Sequence, residues 1–250
     1  MQTYLTLTRR ELASFFASIT GYVIIAGVVF VMGLSFVDIL EILQGDSTSV
    51  PVTQLYFRTS YFWEILLLAA PVTTMRLFAL EKFSGTFESL MTAPVSDLQV
   101  VLAKFTAAMV FYTLMWLPSL LSIFILRHYL NRADAFDPGL LAGTFLGVFL
   151  LGCLFISVGC LASSLTKSQI VAAMISFTMS YSMFLLSALP EHVKNVPDWA
   201  QRVVSHIGMF DHMNDFTRGL VDTSSLVFYL SGTVLFLFLT LRVVESRRWK

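Results

Sequence analysis

The sequence predicts an all-α fold of six membrane-spanning helices, and three observations predict it. Hydrophobic residues make up 56 % of the 250-residue chain and charged residues only 13 %, against roughly a quarter charged in soluble domains. Six apolar stretches reach the length of about 20 residues that a helix needs to cross a hydrocarbon layer about 30 Å thick. Nothing alternates polar and apolar as a half-buried strand would, and an open sheet edge cannot survive in lipid. The stretches are Gly21 to Leu40, Tyr61 to Leu80, Leu102 to Leu126, Leu140 to Leu165, Gln169 to Leu189 and Leu226 to Val243. No small-residue cleavage pattern comes after the first, so it reads as a span that is kept. Residues 1–250 form one membrane domain.

Ahead of the first span, residues 4–20 mix Arg9, Arg10 and Glu11 with Leu5, Leu12, Phe15 (or Phe16) and Ile19. The apolar positions recur at helical spacing, which predicts an amphipathic helix lying along the inner leaflet. After the second span, residues 81–101 form a loop with helical content of its own. Ser84 is suited to cap a new helix, Glu88 favours its early turns, and Gly85 permits a sharp change of direction. Pro94 stops that helix, and Ser96 caps the next, which leads to Lys104. Between the fifth and sixth spans, residues 190–225 place Met209, Met213, Phe216 and Leu220 on one face, so short re-entrant helices are expected at the outer surface.

Six spans put both termini on one side. If that side is the cytoplasm, it holds ten of the sixteen basic residues and five of the sixteen acidic ones. The basic bias supports that orientation, in the cytoplasmic (inner) membrane of a bacterium.

Much catalytic chemistry is missing. Away from their ends the spans contain no Asp, Glu, Lys, Arg or His; Asp38, Glu64, Arg76, Lys104 and Arg242 sit near a membrane face, where long side chains snorkel. An ion-coupled carrier needs an ionisable or unwound mid-membrane site, so that class is disfavoured. No Gly-Lys pair occurs, hence no phosphate-binding loop; if ATP drives this protein, another chain binds it. Cys153 and Cys160 share a helical face with no further ligands nearby, and buried packing is the expected reading. His206, Asp211, His212 and Asp215 match no metal spacing, and no nucleophile–base pair stands out. Neither a metal nor a nucleic-acid partner is expected.

On the fifth span Ser176, Ser180 and Ser187 share a face: helix packing, or the lining of a path for a greasy cargo. Gly143 and Gly147 form a G-x-x-x-G, either internal packing or a dimer seam.

The most specific residues lie between Pro71 and Lys104. Thr74-Met75-Arg76-Leu77-Phe78-Ala79, Glu81, Gly85-Thr86, Glu88, Leu90, Thr92-Ala93-Pro94-Val95-Ser96-Asp97 and Lys104-Phe105 succeed one another in order. Arg10-Glu11-Leu12 precedes them; Ser163-Ser164-Leu165-Thr166-Lys167 and Asp215-Phe216-Thr217-Arg218-Gly219-Leu220-Val221-Asp222 come after. These blocks resemble the type II, exporter-class permease subunits of ATP-binding-cassette transporters, most closely the branch that includes the gliding-motility permease. Ile19 stands where that branch usually has proline, Leu80 where it often has a second acid, and Ala103 where glycine is usual.

The resemblance implies a dimer, with a second copy or a paralogue, in which Arg76, Glu81, Lys82, Gly85, Thr86, Glu88, Leu90 and Met91 couple to a separate ATPase subunit. That partner would bind ATP and magnesium; this chain would hold no cofactor and would not itself be an enzyme. Arg218, Gly219 and Asp222 would belong to an outer motif that caps the exit. ATP use would drive cargo outward. The other reading is a dimeric scaffold that passes mechanical work to an extracytoplasmic accessory protein and exports nothing.

Overall fold

The computed structural model describes residues 2–45, 52–88, 95–130, 137–192 and 207–246, and these contain ten helices and no strand. They are α1 Gln2–Phe16, α2 Ile19–Gly45, α3 Val52–Arg58, α4 Ser60–Thr74, α5 Ala79–Ser84, α6 Asp97–Leu130, α7 Pro138–Leu165, α8 Gln169–His192, α9 Met209–Thr217 and α10 Thr223–Ser246. Six segments are long and apolar enough to cross a membrane: α2, α4 with α5, α6, α7, α8 and α10. The expected six-span, all-α architecture is present, and this is a multi-pass membrane protein.

The centre of the bundle is α7. In its most apolar window 83 % of residues are buried, against 22 % in α8 and in α10. A helix that is apolar all round belongs inside, and every residue from Leu150 to Ser164 is buried. Small residues let its neighbours α4, α6, α8, α9 and α10 close in. A Cβ at Gly159 would overlap the Thr74 side chain of α4. Gly159→Val is therefore expected to lower stability by about 1–3 kcal/mol through overpacking, read as a lower midpoint in thermal unfolding of the detergent-purified chain.

The G-x-x-x-G resolves as internal packing. A Cβ at Gly143 would lie 2.8 Å from the Phe216 carbonyl oxygen, and one at Gly147 would lie 2.9 Å from the Phe216 ring, so both glycines seat α9. Met209, Met213 and Phe216 of α9 are buried as expected, but Leu220 is 59 % exposed. The reason is local: α9 stops at Thr217, and Gly219 at φ +75° turns the chain before Leu220 can complete the face.

Two further expectations need correction, and a third falls partly outside the described residues. The amphipathic helix ends at Phe16, and Ile19, expected on its greasy face, instead opens α2 and is 84 % exposed. The buried side of α1 carries Glu11 and Phe15, with Phe15 stacked on Phe111 of α6 at 4.7 Å and the Tyr4 hydroxyl 2.7 Å from that of Thr106. The second span is not one helix: it breaks between Thr74 and Ala79. Of the outer segment expected over 190–225, residues 193–206 lie outside the described ones.

Candidate functional site at the broken second span

Pro71 sits inside α4 and has no N–H to give to the preceding turn. The helix continues to Thr74, whose hydroxyl donates to the Ala70 carbonyl at 2.8 Å, and Met75 N–H closes the end on the Pro71 carbonyl at 2.9 Å. A break at this depth strands polar backbone groups away from water, and each must find a partner. Ser163, from the last turn of α7, supplies them. Its Oγ accepts from Phe78 N–H at 3.0 Å and Ala79 N–H at 3.1 Å and donates to the Met75 carbonyl at 3.1 Å. A serine from another helix thus caps α5, whose own preceding residue, Phe78, makes no side-chain cap.

The next residue of α7 completes the joint. Lys82 is buried and its Nζ donates to the Ser164 carbonyl, placing a cation at the C-terminal end of α7, where the helix dipole favours one. The same ammonium lies 5.2 Å from the centroid of the Phe87 ring. Lys82 is thus turned inward, towards the bundle rather than to solvent.

Beside Lys82, Glu81 faces the opposite wall. Its Oε1 lies 2.9 Å from Lys104 Nζ and 3.2 Å from an Arg10 guanidinium nitrogen. Glu11 completes the set, with Oε2 3.2 Å from Lys104 and Oε1 2.7 Å from Arg10. Two cations and two carboxylates from α1, α5 and α6 form one neutral cluster. The Glu11 hydrogen bond, with the charges of Glu11 and Glu81, raises the Arg10 pKa above its ordinary value. Lys104 does not snorkel. It is 1 % exposed, because α6 already begins at Asp97 and the position is enclosed by α1 and α5, with the Phe78 ring 5.5 Å away. Next to the cluster, α1, α6, the α4–α5 turn, α5 and Thr86 line a half-open cavity of about 620 Å³. Arg76 lines it and donates to Ser18 Oγ at 2.6 Å, tying the turn to the α1–α2 junction.

Beyond Glu81 and Lys82 the segment turns outward. Gly85 takes φ +76° as the C-cap of α5, and residues 86–88 begin another helical turn. Ser84 ends α5 rather than capping that turn; its hydroxyl lies 2.8 Å from that of Thr86. Phe83 is 76 % exposed, and Gly85, Thr86 and Glu88 are exposed with it. Leu90 and Met91 lie outside the described residues. Ser96 caps α6 as expected: its Oγ accepts from Gln99 N–H at 3.3 Å and its own N–H donates to Gln99 Oε1 at 3.4 Å.

The profile of the ABC-2 family transporter proteins matches residues 40–241. The chain belongs to the ABC-2 transporter family. The match covers the broken span, α6 to α9 and most of α10, and leaves α1 and most of α2 outside it. No curated protein matches the chain. An ABC-2 protein is the membrane-spanning permease component of an ABC transporter, generally not catalytic itself, and the family implies an ABC ATPase as partner.

The remaining candidates of this ABC-2 chain lie elsewhere. Ser176 and Ser180 are fully buried within the chain, and neither hydroxyl has a hydrogen-bond partner among the described residues. Ser187 Oγ accepts Met209 N–H at 2.6 Å and so fastens α9 to α8. Within one chain these serines face packed helices. The outer motif forms a stop and a restart. Arg218, Gly219 and Leu220 N–H groups return to carbonyls of α9, and Asp222 Oδ1 accepts from Ser224 N–H at 3.2 Å to open α10. The Arg218 side chain is exposed. Sequence reasoning assigns no site role to Glu11, Lys104 or Ser163, all three of them buried. The signal available is that Arg10-Glu11, Glu81 and Lys104 all fall near one face of the membrane with charges that balance.

Proposed function

We propose that this chain is the permease subunit of an ATP-driven exporter, in which the segment from Phe83 to Glu88 takes force from a separate ATPase on the cytoplasmic side of a bacterial inner membrane. The observation that carries the reading is a contrast in burial within a few residues. Arg76, Glu81 and Lys82 are braced to α1, α6 and α7, whereas Phe83, Thr86 and Glu88 are exposed and in reach of a soluble partner. A push on such a tip moves four helices as one body. The inward groups transmit and the outward ones dock. Both termini are cytoplasmic, and two permease chains pair, as in the gliding-motility branch. The ATPase carries the ATP and magnesium. A neutral span interior suits a lipid-like or amphipathic cargo.

The test is permease-stimulated ATP hydrolysis in proteoliposomes holding the permease and its ATPase. Glu88→Lys reverses charge on the exposed face, and Gly85→Val forces a β-branched residue into a left-handed conformation at a local cost of about 1–2 kcal/mol. Both variants are expected to insert normally and to lose most of the stimulation, about tenfold for a docking contact worth about 1.4 kcal/mol. Undiminished stimulation in both would overturn the coupling role. ATP turnover that responds to the permease yet moves no cargo would assign the mechanical scaffold role instead.

A further inference from the structure

The cavity beside the charge cluster has one cation more than it has anions. Arg10 and Lys104 are matched by Glu11 and Glu81. Arg76 also lines it, and among the described residues its guanidinium has the Ser18 hydroxyl but no ion pair. It is only partly exposed, and the cavity wall around it includes the apolar Phe15, Leu77 and Leu80. A guanidinium so placed is a fork that fits a phosphate or carboxylate.

The residues just after Ser18 put the recess next to the first span. Ile19, Tyr22 and Val23 open the first span and are 84 %, 60 % and 63 % exposed. A surplus cation, a polar recess and a bare apolar strip thus meet where α1 turns into a membrane-spanning helix. The strip belongs to a candidate membrane span, so bilayer lipid lies along it, and a phospholipid seated there carries its phosphate at the end of the span where Arg76 is held by Ser18.

We propose that this cavity holds the headgroup of an anionic phospholipid, with the phosphodiester on Arg76 and the outer side of Arg10. Thr86 of the proposed docking segment also lines this cavity, so the test is chosen to read neither ATP turnover nor flux. It fixes the α1–α2 junction, and through Ser18 the α4–α5 turn, to one leaflet.

The experiment uses the purified full chain in phosphatidylcholine nanodiscs containing a trace of spin-labelled phosphatidylglycerol or spin-labelled phosphatidylcholine. The motionally restricted fraction is read by electron paramagnetic resonance. The anionic lipid is expected to be restricted about fivefold in preference to the neutral one. Arg76→Gln should abolish that preference, and Arg242→Gln, at an exposed Arg242–Glu245 pair on α10, should keep it. Glycerol phosphate and inorganic phosphate in the buffer should not displace the lipid. If Arg76→Gln gives no folded protein, Ser14→Phe, which narrows the cavity from α1, should remove the preference instead. A preference that survives in the folded cavity variant overturns the proposal. So does equal loss in Arg242→Gln, which marks general surface attraction. Displacement by free phosphate would mark a small-anion site, and displacement on adding the ATPase would give Arg76 to a protein partner; either overturns it too.

Discussion

Lys104→Met is expected to destabilise the protein by about 3–5 kcal/mol, the range for removing one partner of a buried ion pair. The side chain is replaced by one of similar length, so packing against Phe78 is largely kept. What is lost is the single buried cation that faces both Glu11 Oε2 and Glu81 Oε1. Arg10 cannot replace it, since its side chain is 53 % exposed and is already engaged with Glu11 Oε1 and with the Glu81 Oε1 that it shares with Lys104. The cost should rank with burial: largest for Lys104, smaller for Glu81→Gln and Glu11→Gln, smallest for Arg10→Gln. Neutralising the cluster together (Lys104→Met with Glu11→Gln and Glu81→Gln) should recover most of the loss, because the penalty lies in the uncompensated charge and not in the missing attraction. Thermal unfolding in detergent measures all five variants beside the unchanged protein and the control Arg242→Gln. A Lys104→Met midpoint no lower than that of the exposed control Arg242→Gln would sink the cluster as a structural brace.

The features legible in the sequence are local ones. The six spans come from apolar runs of sufficient length. Gly85 and Ser96 are legible as a turn and a cap, since each depends on backbone geometry within three residues. The features that escape sequence reasoning all need a partner far along the chain. The break after Thr74 rests on Ser163, 85 residues beyond Phe78. Pro71 alone suggests a kink in the wrong place, because the missing N–H disturbs the turn before it. The start of α6 beside Ser96 is legible, but that Glu11 of α1 and Glu81 of α5 close over Lys104 is not, so the side chain reads as snorkelling. Periodicity gives α1 a greasy side and a polar side but cannot reveal that Glu11 lies on the side packed against α6. An amphipathic helix facing a bundle answers to the partner's charge, and that partner is one lysine in a distant segment.

Ser163→Ala should cost about 2–4 kcal/mol, more than any other serine-to-alanine change in α7. The hydroxyl is one group serving three: two buried N–H groups at the start of α5 and the part-buried Met75 carbonyl. Removing it leaves those groups unpaired, each worth about 1–3 kcal/mol when buried. The total falls short of the sum because a loosened turn regains some bonds, and hydrogen bonds between membrane helices average well below their nominal value. Ser157→Ala is the matched control. Ser157 is equally buried in the same helix, but its hydroxyl donates only to the Leu154 carbonyl of its own turn at 2.7 Å, so its loss orphans no group from another segment. Ser163→Thr should fall between, keeping the hydroxyl but forcing a methyl into a fully packed position. The two alanine variants should also differ in permease-stimulated ATP hydrolysis. Under the coupling role proposed above, a break that is no longer capped lets α5 move without α7, and force applied at Phe83 to Glu88 is dissipated in the turn. Equal stability and equal stimulation in Ser163→Ala and Ser157→Ala would mean that the break is held by packing alone, and that α7 is a bystander to the lever rather than its fulcrum.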